Sequence, residues 1–340
     1  MAHDHRVPPR DGDDDSTILT PAAPTRRRVL PLLAAGGAAV VAGSGIAGWL
    51  LWPRTAPPAR SVPAAPHASS APASARFHLE TADEAAILAH EADQLTVFRF
   101  AANPDIIVLD FPSLRMQGEM LNRIASLIEK ARLPRDRVLT DAELASAIGA
   151  RGATVETYYY GHDYSASSLA YFFATAGQQH IALGSEEERL RVLIEQLGWF
   201  APNATGALIS VPRVSPTITE MMRATVLHHE LAHGEFFTDP TYAAYVRQFW
   251  RTAMTGEERA AVRHFLGSMD YDTADEELMY NEMQAYMMFT YDPRFFVPAN
   301  IGMTGERRRQ LQATFLFGLR DGWLKTALAE HMREQREASQ

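Results

Sequence analysis

The chain has 340 residues, a formal net charge of −9, 46% hydrophobic residues and no cysteine. That length supports one large or two modest domains. The acidic balance argues against nucleic-acid binding, which wants a basic face. The absence of cysteine excludes disulfides, zinc–thiolate sites and lipid-modified cysteine anchors.

Residues 1–24 are polar and rich in Asp, Pro and His, the composition of a solvated, disordered tail. Thr25-Arg26-Arg27-Arg28-Val29-Leu30 then resembles a twin-arginine export signal. Val29 to Trp52 carries no charge, and at about 1.5 Å per residue it is long enough to span a bilayer. The preceding arginines place its start in the cytoplasm, and Trp49 and Trp52 suit the far interface. Residues 25–52 are therefore expected to act as a signal or signal anchor, and residues 53–75, rich in Pro, Ala and Ser, as a linker. Ala73-Ser74-Ala75 has the form of an A-x-A cleavage site. The expectation is export by the twin-arginine machinery to the periplasm or another extracytoplasmic space. Residues 29–52 are then either removed or kept as a membrane anchor.

The folded part is expected over residues 76–340. Thr81-x-x-Glu84 reads as a capping box opening a helix to about Asp93. Thr96–Ala101 alternates as a strand, and Ile106–Phe111 reads as a buried strand. Helical periodicity covers Gln117–Arg132. Thr140-x-x-Glu143 caps a further helix that stops at Gly149. Thr154–Tyr160 and His180–Leu183 are predicted as strands. Ser165–Thr175 reads as a helix, with Asp163 or Ser165 as its N-cap, and Ser185-x-x-Glu188 opens another. Ala207–Val211 is the last strand. The pattern is that of an α+β lobe with a mixed sheet over residues 76–214, followed by a helical lobe over residues 215–340. Tyr158–Ser165 has a site-like look, since His162 and Asp163 beside Gly161 could line a cleft, but the reading preferred is a helix start with aromatics packed in the core.

The second lobe opens with Val226-Leu-His-His-Glu-Leu-Ala-His-Gly-Glu-Phe-Phe237. Residues four apart share a helix face, so His229 and His233 can direct both imidazoles at one ion. Neutral imidazoles suit Zn²⁺, and Glu230, one step round the helix, is placed to activate a water as general base. Met222, Thr225, Val226, Ala232 and Phe236 complete a largely apolar stripe. Thr217-x-x-Glu220 reads as the capping box of this helix, and Thr238-Asp239-Pro240 as its end. The plainer reading is two histidines packed in a core. A third ligand is expected from Glu282. Its helical neighbours Leu278, Met279, Ala285, Tyr286 and Phe289 are apolar or aromatic, and a lone carboxylate in such a stripe is costly without a metal or a charge partner such as Arg223. Helices are further predicted over Tyr242–Trp250, Thr255–Leu266, Glu306–Leu319 and Trp323–Arg336.

His229-Glu230-x-x-His233 followed by Asn281-Glu282-x-x-Ala285 resembles the gluzincin branch of the zincin metallopeptidases. The resemblance covers roughly residues 215–289, and only the motif positions are specific. It implies a zincin-like fold: a mixed-sheet lobe, then a helical lobe, with the metal between them. It also implies zinc held by His229, His233 and Glu282. Two features depart from thermolysin-type enzymes: a longer interval before Glu282, and Tyr286 where an Asp would orient a histidine. In the competing branch the last ligand position falls on Asp239, the alternative third ligand. The expected activity is that of an exported zinc metallopeptidase, cleaving peptides or envelope proteins with Glu230 as base. Tyr280, Tyr286, Tyr271, His264 and His162 are the candidates to stabilise the developing oxyanion. An edge strand of the sheet is expected to hold the peptide. The rival expectation is a zincin scaffold kept as a non-catalytic metal-binding or interaction protein of the cell envelope.

Overall fold

Apolar runs and alternating segments between residues 76 and 212 build one five-stranded sheet. In this computed structural model residues 76–337 are described. The polar segment 1–24, the export segment 25–52 and the linker 53–75 lie outside the described residues. The strands are β1 (Leu79–Ala82), β2 (Thr96–Phe100), β3 (Ile106–Phe111), β4 (His162–Ser165) and β5 (Ala207–Pro212). They are ordered β1-β2-β3-β5-β4. Pairing is parallel for β1–β2 and β3–β5 and antiparallel for β2–β3 and β4–β5, so the sheet is mixed. β3 and β5 are buried along their whole length, as their mostly apolar sequences favour; the exceptions are Asp110 and Ser210.

Six helices lie before residue 239: α1 (Glu84–Ala89), α2 (Leu114–Ile128), α3 (Asp141–Gly149), α4 (Ala166–Gln178), α5 (Ser185–Gln196) and α6 (Glu220–Thr238). Five follow: α7 (Pro240–Thr252), α8 (Gly256–Ser268), α9 (Glu276–Gln284), α10 (Gly305–Gly318) and α11 (Trp323–Glu337). The α+β class and the mixed sheet match the expectation. Thr140 and Thr255 form the expected capping boxes, with Glu143 and Glu258. Among the described residues no helix is long and apolar enough to cross a membrane.

Several local expectations are corrected. Thr81 lies in β1, and Asp83 caps α1, which ends at Ala89 because His90 turns extended. Thr154–Tyr160 and His180–Leu183 are irregular. The first is a turn in which Thr157 Oγ1 accepts from the Thr154 N–H at 2.9 Å. The true strand is His162–Ser165, so Asp163 is a strand residue and Ser165 alone caps α4. Thr219, not Thr217, caps α6 by accepting from the Met222 N–H at 3.2 Å. Thr217 sits instead in the turn closed by the Ser215–Ile218 pairing.

One face of the sheet packs on α2, α4 and α5, where Leu121, Ile124, Leu169 and Leu190 meet Ile107, Leu109 and Leu208. The opposite face packs on α6 through Val226, Leu227 and Leu231 against Phe98, Val108 and Ile209. The other side of α6 presents Ala232 and Phe236 to the C-terminal helices. This helix therefore joins the two halves of the core, and its middle is enclosed.

A buried ion pair ties α6 to the sheet. Arg223 donates to both oxygens of Asp110 in β3, at 2.8 and 2.9 Å. It also donates to the carbonyls of Pro212 and Ile87, at 2.7 and 2.6 Å. Removing one partner of such a pair strands the other charge in the core. R223M is expected to lower unfolding stability by about 3–5 kcal/mol in chemical denaturation. A loss below about 1 kcal/mol would contradict that role.

Candidate metal centre

The middle of α6 carries His229, Glu230 and His233, and α9 carries Glu282; each is fully buried. His229 Nε2 and His233 Nε2 are 3.1 Å apart. Glu282 Oε2 stands 4.0 Å from the first and 3.8 Å from the second. Donors sharing one tetrahedral ion at 2.0–2.1 Å lie about 3.3–3.4 Å from one another. The two imidazoles are thus close to ligating spacing and the Glu282 carboxylate stands slightly outside it, and one ligand atom from each of the three residues falls within 4.8 Å of the others.

The His229 imidazole is oriented by a second contact. Thr290 Oγ1 donates to the Ala285 carbonyl at 3.0 Å, so its oxygen accepts from His229 Nδ1–H at 2.8 Å. That leaves the Nε2 lone pair facing His233 and Glu282. The Asn281 side chain lies beside His233 and partly opposes the effect of burial on it. Gln284 Nε2 donates to Asn281 Oδ1 at 3.3 Å, and Tyr242 donates to Gln284 Oε1 at 2.7 Å. The short π-helix Ala285–Phe289, directly after α9, brings Tyr286 onto His229, with ring centroids 4.8 Å apart.

The electrostatics fit a cation. Burial pushes His229 well below its ordinary value, with His233 adding to the effect, and takes His233 down to about 4. Both imidazoles are neutral at pH 7, the form that ligates. Glu230 and Asp163 are pushed well above the carboxylate range, first by burial and then by neighbouring carboxylates. Neither oxygen of Glu230 receives a hydrogen bond from an N–H or hydroxyl group. A divalent cation would offset this accumulation of acidic groups, and the nitrogen and oxygen donors match zinc chemistry.

The remaining sequence candidates divide. Tyr271 and Tyr286 are hydrogen-bonded to each other, and both feel the charge of Glu282. Tyr280 points to Glu277, donating at 3.2 Å, and His264 is exposed on α8. His162 faces the other side of the sheet, beside Ser210 Oγ at 3.1 Å and Asn122 Oδ1 at 3.4 Å. Asp239 caps α7, accepting from the Thr241 N–H at 2.8 Å, and pairs with Arg320. Arg223, the alternative partner for Glu282, is engaged by Asp110.

Three nearby residues are not assigned to the centre by the sequence pattern. Asp163 enters from β4, with Oδ2 4.0 Å from His233 Nε2. Glu129 and Lys130, just beyond α2, are buried and act electrostatically on the site. Lys130 is lowered to about 7 by burial and then by Arg151, and lies 4.7 Å from the centre of the Tyr159 ring. Nothing in a helix-ending lysine announces Glu129 and Lys130, and the Gly-His-Asp string hints at a cleft without assigning Asp163 to the metal centre. Only the strand alternation of β4 separates Asp163 from His162.

No family model, curated protein or solved structure matches the chain.

The purified protein is expected to hold one zinc per chain by elemental analysis. H229A and E282A should lose most of it, while D239A keeps it; retention in E282A would contradict the triad. His162 is held at about 3 by burial, below the ordinary value of 6.5. Its neutral form therefore contributes stability that is full above about pH 6.5 and is lost as pH falls toward 3. The melting temperature should fall more steeply in the parent than in H162Q between about pH 6.5 and 4.5. Parallel slopes would contradict this.

Proposed function

We propose that this chain is an exported zinc-dependent metallopeptidase of gluzincin type, acting on peptides or envelope proteins. The observation that carries the reading is the convergence of His229, His233 and Glu282 from two helices, with Glu230 beside them on α6. The sheet on one side of α6 and the helices on the other support a zincin-like arrangement. The twin-arginine pattern at residues 25–30 supports export, with residues 29–52 as signal or membrane anchor.

His229, His233 and Glu282 would hold the zinc. When bound, the ion polarises the scissile carbonyl and lowers the pKa of water. Glu230 takes the proton of the attacking water and passes it to the departing amine. Thr290 keeps the His229 imidazole in the ligating orientation. Tyr286 and Tyr271 are the candidates for stabilising the oxyanion, being the two of the five that adjoin Glu282. β4, at the edge of the sheet and next to α6, is the strand along which an extended peptide would pair.

The second reading is a metal-binding envelope protein without catalysis. It draws on the burial of every group in the centre: His229, Glu230, His233 and Glu282 are each 0% exposed. A peptide library separates the two. The zinc-loaded parent is expected to cleave members of a broad fluorogenic library. E230Q should keep zinc and lose about 10²–10⁴-fold in rate. A Cβ at Gly161 would overlap the Glu230 carboxylate, so G161A is also expected to keep zinc and lose activity. Tight zinc binding with the library uncut favours the second reading. Full activity in E230Q would refute the assigned base.

A further inference from the structure

We propose that Asp163 is a fourth protein ligand of the metal and closes the centre in the resting molecule. This rests on the metal-centre reading above and adds to it a ligand from the sheet. Alternation along β4 sends His162 toward Ser210 and Asn122 on one face, and Asp163 to the other face, where α6 packs. Asp163 Oδ2 is 4.0 Å from His233 Nε2, the same separation that divides His229 Nε2 from Glu282 Oε2. Through His233 the inward movement needed to share an ion is slightly larger for Asp163, at 4.0 Å, than for Glu282, at 3.8 Å, and Asp163 stands just outside the tight cluster of His229, His233 and Glu282.

The placement is otherwise costly. The Asp163 side chain is 4% exposed, and Oδ2 receives no hydrogen bond from any N–H or hydroxyl group among the described residues. Burying a carboxylate oxygen this way is unfavourable unless a cation or a proton compensates. On α6, Oδ2 faces the His233 imidazole at 4.0 Å, and the Asp163 carboxyl group interacts with a second carboxyl group, Glu230. A cation at the His229–His233–Glu282 cluster compensates all four side chains at once.

The functional consequence is a closed centre. Two histidines and two carboxylates fill a tetrahedral zinc, the arrangement of structural sites, whereas a catalytic site keeps one position open. Water gains a place beside Glu230 only when Asp163 withdraws. Among the described strands β4 pairs with β5 alone, so it can shift without breaking a second ladder. Asp163 then acts as a removable ligand: the centre is closed at rest, and a peptide pairing along the edge strand displaces Asp163 and opens it for turnover.

The test uses the full-length chain and its D163A, D163N and E282A variants. Zinc affinity is measured by competition with a chromophoric chelator. Coordination is read from the visible spectrum of the cobalt(II)-substituted protein, with and without azide. Circular dichroism checks folding, and D163N, which keeps the side-chain shape, decides the matter if D163A does not fold. The parent should show a tetrahedral cobalt spectrum indifferent to azide. D163A should bind zinc at least about tenfold more weakly, and its cobalt spectrum should respond to azide. Unchanged affinity and spectrum in folded D163A or D163N would overturn the inference while leaving the three-ligand centre intact. Absence of metal binding in the parent would instead remove the centre itself, and this inference with it.

Discussion

Two imidazoles and several carboxyl groups share a space from which water is excluded, and that constraint governs the middle of the molecule. No ordinary helix carries His229, Glu230 and His233 into an apolar core without a compensating charge. The hydrogen bonds around these groups, from His229 to Thr290 and from Tyr242 through Gln284 to Asn281, serve an arrangement that a divalent cation would complete. The same desolvation that keeps the imidazoles neutral pushes Glu230 and Asp163 toward their acid forms. One cause thus prepares the ligands and penalises the site when no cation is present.

α6 bears this constraint because it belongs to both halves of the core. Its Val226, Leu227 and Leu231 pack on the sheet, and Ala232 and Phe236 pack on the C-terminal helices. The Arg223–Asp110 pair fixes its first turns to β3. Gly234 lets Ile106 approach, since a Cβ there would fall 2.9 Å from that side chain. A helix anchored on both sides holds its ligands at a definite depth. α9 then needs to deliver only one carboxylate.

The central helix, the burial of Glu282 in an apolar stripe and most of the secondary structure are legible in the sequence, because they rest on local rules. A four-residue spacing, an isolated Glu in an apolar stripe and the capping residues of α3 and α8 each state their consequence within one or two turns. The buried strands Ile106–Phe111 and Ala207–Pro212 are legible for the same reason. β4 is not. Its four residues, His162-Asp-Tyr-Ser165, show no apolar alternation, and their strand character comes from pairing with β5 more than forty positions away. The preceding Tyr158–Tyr160 run, rich in strand-favouring aromatics, points to the wrong segment, although its rings pack in the core without a ladder. Asp163 is hidden with β4. Lys130 and Glu129 are hidden because burial at the end of α2 depends on distant residues, including the Lys130–Tyr271 pairing.

X-ray absorption at the zinc edge of the purified, zinc-loaded protein tests the central claim most directly. The account predicts a zinc edge with two imidazole nitrogens and carboxylate oxygen at about 2.0–2.1 Å. A zinc shell without imidazole scattering, or protein that retains no zinc after reconstitution, would contradict it.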